Sequence, residues 1–578
     1  MLAPAKVNRT TTSARPSVEQ GLRCREPGCN LLHLPEDFTE CYLDAENTIR
    51  VPGVRYYEGR PQGFPDHVVG SYEALALPQD ICFDRFGRYG PYGLGYSPRQ
   101  GGIGRGDVGD VEGADQTWTG TSQVDYRTVD WADAQRRCYR SNSARFAPLP
   151  PRKPEPHGFF VDELPGAAAA PSDDTLTRRA NAQRADDQGT GPKVQGRTAL
   201  VLRCWDDMEW QADEIMYVRS LISELSLASG GRYDVHLLVQ VKDEGNNPIW
   251  ADPPRTSAWC ASASPRGIFD LYVKGPELPV HGPYRGLQMG LQHFAHIHPE
   301  YEYFWHWEMD IRYTGHYYDF FTKIENWARA QPRKGLWERN ARFYMPSVHG
   351  SWDEFAHLAK LQTGMTSATP AALRSGFPGV RPGDSIPEKT VWGPERPGDE
   401  DDWFEHENDP PRAPPRRAHI NTASRLSRRL LTTMHRETTF KKHFAFPEMW
   451  PATVALQHGF KVVYAPHPSF RAQRRQRRVP IQRLWPGEHN MHGLSWFYRS
   501  DFAPDLYRAW LGFETAHGGG ADFELRGKGG KGGEGRMCLP PMLLHPIKNV
   551  GIIVEAPPDE EMRRLDDAGQ DSEFDAGS

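Results

Sequence analysis

The order of elements from Thr198 onward constrains the fold more than any other feature. "TALVLR" is a compact apolar strand, and "DDMEWQADEIMYVRSLISELSLAS" then carries Ile215, Val218, Leu221, Ile222 and Leu225 at helical spacing, with acids in its first turn. "GG" ends that helix and "YDVHLLVQV" is a second apolar strand. Strand, helix and strand in immediate succession make a βαβ unit, which commits the chain to parallel strands joined by a right-handed crossover. In an open sheet of this kind, ligands bind beyond the C-terminal ends of the strands.

The later segments extend the same pattern. A short helix from about Gly286 to His298 leads into the aromatic strand "YEYFWHWEMD", and "HYYDFFTKIENWARA" follows as an amphipathic helix. "FYMPSV" and "FKVVYAP" read as strands, with "MWPATVALQHG" as a helix before the second. The expected fold is α/β, a mostly parallel central sheet flanked by helices, behind an irregular N-terminal region. The expected organisation is an irregular segment over 1–70, short ordered elements over 71–147 packing on the main domain, and a linker over 148–197. The main domain then covers 198–550, with a Pro-, Arg- and acid-rich insertion over about 366–429, and an acidic tail occupies 551–578.

Composition narrows the function classes. A net charge of -6 on 578 residues gives no global reason to expect nucleic acid or an anionic membrane as partner. No apolar run approaches the roughly 18 to 20 residues that span a bilayer, and "MLAPAKVNRTTTSARPSVEQ" carries no apolar core of a signal peptide. The eight cysteines, Cys24, Cys29, Cys41, Cys82, Cys138, Cys204, Cys260 and Cys538, match no zinc module, and their even number permits disulfides without requiring them. The basic run Arg471–Arg483 is compatible with a solvated loop, a nucleic-acid patch or a phosphate-attracting rim.

The chemistry concentrates at strand ends. Glu308 and Asp310 follow a run of aromatics at a two-residue spacing, which places both carboxylates on one side of an extended backbone, where oxygen ligands can hold a divalent cation. Acids at that position also serve as caps or as partners of the nearby Arg312. In "PEMWPATVALQHGFKVVYAPHPSF", His467 is presented after an apolar strand and offers a nitrogen ligand suited to Mn²⁺ or Zn²⁺, while Glu448 opens the preceding helix. Asp206 and Asp207 follow the first strand of the βαβ unit, where a nucleotide base or ribose would meet them, although acids there also cap helices. The aromatics Trp496, Phe497 and Tyr498, near His489 and His492, are core or a stacking surface for sugars.

"YEYFWHWEMDIRYTGHYYDFF" and "PEMWPATVALQHGFKVVYAPHPSF" resemble two stretches of the fungal Golgi α-1,2-mannosyltransferases, in the same order. That resemblance implies a GT-A-like nucleotide-sugar-binding fold with Mn²⁺ held by Glu308, Asp310 and His467 against the diphosphate of a nucleotide sugar. The expected nucleotide-sugar contacts are Asp206, Asp207 and Arg312, and Glu448 is the expected acid near the anomeric carbon, as nucleophile or acceptor-orienting group. Over most of the length, "FDRFGRYGPYGLGY", "VDWADAQRRCY", "WHWEMDIRYTGHYYDF", "EMWPATVALQHG", "VVYAPHP" and "GRMCLPPMLLHP" resemble a fungal family of unknown function, often mislabelled as major facilitator transporters. Its members commonly begin with one membrane anchor, which implies the Golgi or secretory lumen.

The expected function is a metal-dependent glycosyltransferase that moves a hexose such as mannose from a nucleotide sugar to a glycan or glycoprotein acceptor. The alternative is a non-catalytic protein of the same fold that binds carbohydrate or acts as a scaffold, in which Glu308, Asp310 and His467 would not converge.

Overall fold

The computed structural model describes residues 39–51, 53–60, 64–96, 101–103, 124–148, 154, 196–240, 286–331, 344–357, 423–441, 443, 445–471, 494–497, 500–512, 537–548 and 550. In chain order the elements are β1 (Tyr57–Glu58), β2 (Ile81–Cys82), α1 (Arg85–Tyr89), α2 (Trp131–Ser141), β3 (Arg197–Trp205), α3 (Ala212–Leu221) and β4 (Tyr233–Gln240). They continue with α4 (Leu287–Ile297), β5 (Tyr301–Trp307), β6 (Arg312–Tyr313), α5 (Tyr317–Ala330), α6 (Pro346–His349), β7 (Ser424–Ser427), α7 (Arg428–Thr439), α8 (Trp450–Gln457), α9 (Phe502–Leu511) and β8 (Leu543–Leu544).

The βαβ unit forms as its residue pattern requires. A capping box between Gln211 and Glu214 starts α3, a π-helical stretch from Ile222 to Leu227 continues it, and Gly230 and Gly231 end it at φ of +64° and +77°. A side chain at Gly231 would also lie 2.8 Å from Tyr139 Cα, so glycine is required there twice over. β3 pairs in parallel with both β4 and β5, and β7 pairs antiparallel with β5, giving the order β4-β3-β5-β7. The central sheet is therefore mixed and mostly parallel.

Helices cover both faces, because successive strand residues point to opposite sides. Leu200, Leu202, Cys204, Trp305 and Trp307 enter one core with Tyr217 of α3, Phe321 of α5 and Phe86 of α1. Ala199, Val201, Phe304 and Leu426 enter a second with α4, α7 and α8. Each large apolar side chain so buried contributes about 1.5–3 kcal/mol. Residues from the first 150 share the larger core. Arg88 of α1 donates to Glu224 at 2.6 Å, and the same carboxylate accepts from Tyr92 Oη and the Tyr317 backbone N–H, all inside the protein. Disulfides join Cys41 to Cys138 and Cys82 to Cys538.

Three local expectations are revised. "FKVVYAP" is extended but joins no sheet, and "FYMPSV" contributes the short helix α6 rather than a strand. The end of the 366–429 stretch is not insertion: Ser424–Ser427 is the edge strand β7, whose Leu426 sits opposite Phe304. Alternating burial over four residues is too short a signal to read among the surrounding arginines. Cys24, Cys29, Cys260, His489, His492, Tyr498, nearly all of the Arg471–Arg483 run, most of the linker and the tail lie outside the described residues.

Candidate metal centre

The centre is built where β5 leaves the sheet. Trp307 is buried and sits opposite Leu202, so the next pair in register sets Glu308 beside Arg203 of β3. Arg203 Nη2 donates to Glu308 Oε1 at 2.6 Å, and Tyr217 Oη donates to the Glu308 carbonyl at 3.2 Å. The chain then turns, and Arg312 locks the turn from inside. Its guanidinium donates to the carbonyls of Met309 and Ile311 and to Asp213 Oδ2 at 2.5 Å, while Asp213 Oδ1 accepts from Tyr507 Oη at 2.6 Å.

β6 follows at once and pairs antiparallel with β8, Arg312 opposite Leu544. This pairing carries a distant segment into the site. Ile547 N–H donates to the Asp310 carbonyl at 2.8 Å, which sets His545 between the two acids. His545 Nε2 lies 3.5 Å from Glu308 Oε2 and 3.5 Å from Asp310 Oδ1. One ligand atom from each of Glu308, Asp310 and His545 lies within 4.8 Å of the others. Among the described residues this is the group of His, Cys and carboxylate ligands close enough to share an ion.

Electrostatics tie the group together. Burial disfavours charge on His545, but hydrogen bonds and the charges of Asp310 and Glu308 outweigh it and raise its pKa to about 9. Burial likewise works against the Asp310 carboxylate, yet His545 and Lys548 hold its pKa down at about 2. Lys548 Nζ is 3.3 Å from Asp310 Oδ2. Burial lowers the Arg203 pKa against the opposing pull of Glu308, Asp310 and Glu448. Two carboxylate oxygens and one imidazole nitrogen form a donor set that could hold a divalent cation, and a bound ion would replace the His545 proton.

The structure thus brings Glu308 and Asp310 together, and the nitrogen beside them belongs to His545. His467 lies outside the group, so Glu308, Asp310 and His467 do not converge, which is the arrangement expected of the non-catalytic alternative. Its ring packs edge-on against Trp496 at 4.9 Å, Trp496 in turn lies 5.1 Å from the His545 ring, and burial lowers the His467 pKa to about 4. Glu448 is half-buried just before α8, near enough to Arg203 to act on its charge. Asp206 and Asp207 follow β3 at the same end of the sheet, with the Asp206 N–H bonded to the Gln240 carbonyl. Arg312 is 1% exposed and spends its donors on Asp213 and the turn, so it shapes the site from within the core. Sequence reasoning did not single out His545, Arg203 or Lys548. The "LLHP" of "MCLPPMLLHP", an apolar pair followed by His, was the available signal.

Beside the centre lies a cavity of about 490 Å³. Tyr303, Trp305 and Trp307 form one wall, α5 supplies Ile324 and Ala328, and Glu448, His467 and Trp496 also line it.

The family model described as "Protein of unknown function (DUF3405)" matches residues 82–412 and 399–549. The chain belongs to the DUF3405 family. The DUF3405 match opens at Cys82, one partner of the disulfide to Cys538, and runs past His545 and Lys548, so it takes in all of the candidate centre. No curated protein and no solved structure matches the chain. No helix among the described residues is long and apolar enough to cross a membrane.

Proposed function

We propose that this protein is a metal-dependent glycosyltransferase with a GT-A-like nucleotide-sugar-binding fold, moving a hexose such as mannose from a nucleotide sugar to a glycan or glycoprotein acceptor. One observation carries the reading: Glu308, Asp310 and His545 converge at the C-terminal end of a parallel strand, the end at which open α/β sheets bind ligands. Glu308, Asp310 and His545 would hold Mn²⁺, whose chemistry there is to neutralise charge on a leaving diphosphate. Arg203 orients Glu308 through its hydrogen bond, and exposed Lys548 adds a second positive charge for phosphate oxygens. Transfer replaces the bond from the anomeric carbon to the diphosphate oxygen with one to an acceptor hydroxyl. The diphosphate leaves with the bonding electron pair, and the hydroxyl proton passes to a base, for which Glu448 is the carboxylate at hand. Asp206 and Asp207 are placed to meet the nucleoside.

The disulfides fit an oxidising compartment such as the secretory lumen. The test is calorimetry with a panel of nucleoside diphosphates, with and without Mn²⁺. At least one should bind only with Mn²⁺, and Glu308→Ala should abolish that binding. Metal-independent binding, or none by any nucleotide, would overturn the proposal.

A further inference from the structure

The cavity beside the centre has a chemistry of its own. Its long wall is one face of β5, on which Tyr303, Trp305 and Trp307 recur at every second residue, a span of about 13 Å along the strand. The Trp307 end adjoins Glu308, so the cavity is elongated with one end at the metal centre. The other walls mix aliphatic residues such as Ile324, Ala328, Leu430 and Val462 with the polar Ser424, Ser427, Arg329 and Lys461.

Two of the charges that line the cavity are committed to one another. Arg425 sits 3.5 Å over the Tyr303 ring and pairs with Glu325 at 3.2 Å, and Glu325 also accepts from Arg232 at 2.7 Å. The Trp305 indole nitrogen has no surface open to the cavity, so Trp305, 5% exposed, meets it with its ring. A volume of about 490 Å³ takes a drug-sized molecule, and a lining in which apolar side chains outnumber polar ones favours a body of low polarity.

We infer that the cavity binds the apolar aglycone of an amphiphilic substrate, an elongated hydrocarbon or aromatic body lying along the Tyr303, Trp305 and Trp307 wall. Its role as acceptor rests on the transferase reading above: the glycan is then carried by this apolar anchor, with its hydroxyls at the Glu448 and His467 end.

The test needs neither metal nor nucleotide, so its failure is separate from failure of the transferase reading. The full chain is titrated with N-phenyl-1-naphthylamine, which fluoresces in apolar sites, and then with octyl α-mannoside or methyl α-mannoside as competitor. Saturable one-to-one binding is expected, displaced by the octyl glycoside and not by the methyl glycoside at the same concentration. Ala328→Trp, which fills the cavity from a half-buried position on α5, should weaken probe binding at least tenfold. Ile324→Trp is the second filling variant should the first fail to fold, and a thermal melt checks both. Absence of saturable binding, equal displacement by the two glycosides, or unchanged affinity in a folded filling variant would overturn the inference.

Discussion

His545 sits between two carboxylates, and its proton is what a bound metal ion would displace. With a pKa of about 9 against the ordinary 6.5, the imidazolium contributes stability that is fully present below about pH 6.5 and is lost as pH rises through about 9. Asp310, held at about 2 against 3.8, contributes stability present above about pH 3.8 and lost as pH falls through about 2. The metal-free protein should therefore lose stability on the alkaline side as pH approaches 9, a loss that His545→Gln removes; melts from pH 6 to 10 check this. Mn²⁺ affinity should instead rise by about tenfold per pH unit up to about pH 9, with release of one proton seen in buffers of different ionisation enthalpy. A flat profile would mean that the ion does not replace the proton on His545. Arg203→Met, which keeps bulk but removes the donor to Glu308, should weaken Mn²⁺ binding by about 10–100-fold, measured by calorimetry. The acids were legible in the sequence because a run of aromatics marks the strand that ends beside them, although Asp310 lies in the turn beyond it and not on extended backbone. His545 was not, because its place depends on a partner far along the chain and no local spacing records that.

At the scale of elements, the site depends on the pairing of two two-residue strands, β6 and β8. Strands that short leave no alternation to read, whereas the longer apolar run ahead of His467 imitates one. That run proves extended without joining the sheet, which is why His467 looked the better ligand. Gly70 shows how closely its chain is packed: at φ of +82°, a side chain there would lie 2.1 Å from the His467 carbonyl oxygen. The turn between β5 and β6 is held by the buried Arg312–Asp213 pair. Asp213→Ala leaves an uncompensated buried guanidinium, so a loss of about 3–5 kcal/mol is expected in urea unfolding. A change below about 1 kcal/mol would show that the turn holds itself without the pair.

For the molecule as a whole, the larger hydrophobic core runs from the sheet into the first 150 residues and back to the C-terminal segment. The βαβ frame was legible because it is local. The return of residues 537–548 to pair with β6 was not, since it is fixed by a disulfide and backbone bonds between distant positions. Cys538 is tied to Cys82, and Leu539 exchanges backbone hydrogen bonds with Phe83 at 2.9 Å each, so this tether holds the segment that delivers His545. The double variant Cys82→Ser, Cys538→Ser should lose about 2–4 kcal/mol of stability. It should also bind Mn²⁺ more weakly, and chemical reduction of the native chain should reproduce both effects. The decisive measurement is a Mn²⁺ titration of the full chain followed by electron paramagnetic resonance, run in parallel on His545→Ala and His467→Ala. One bound ion that is lost in His545→Ala and retained in His467→Ala is the predicted result. Retention in His545→Ala, or loss in His467→Ala alone, would contradict the site described.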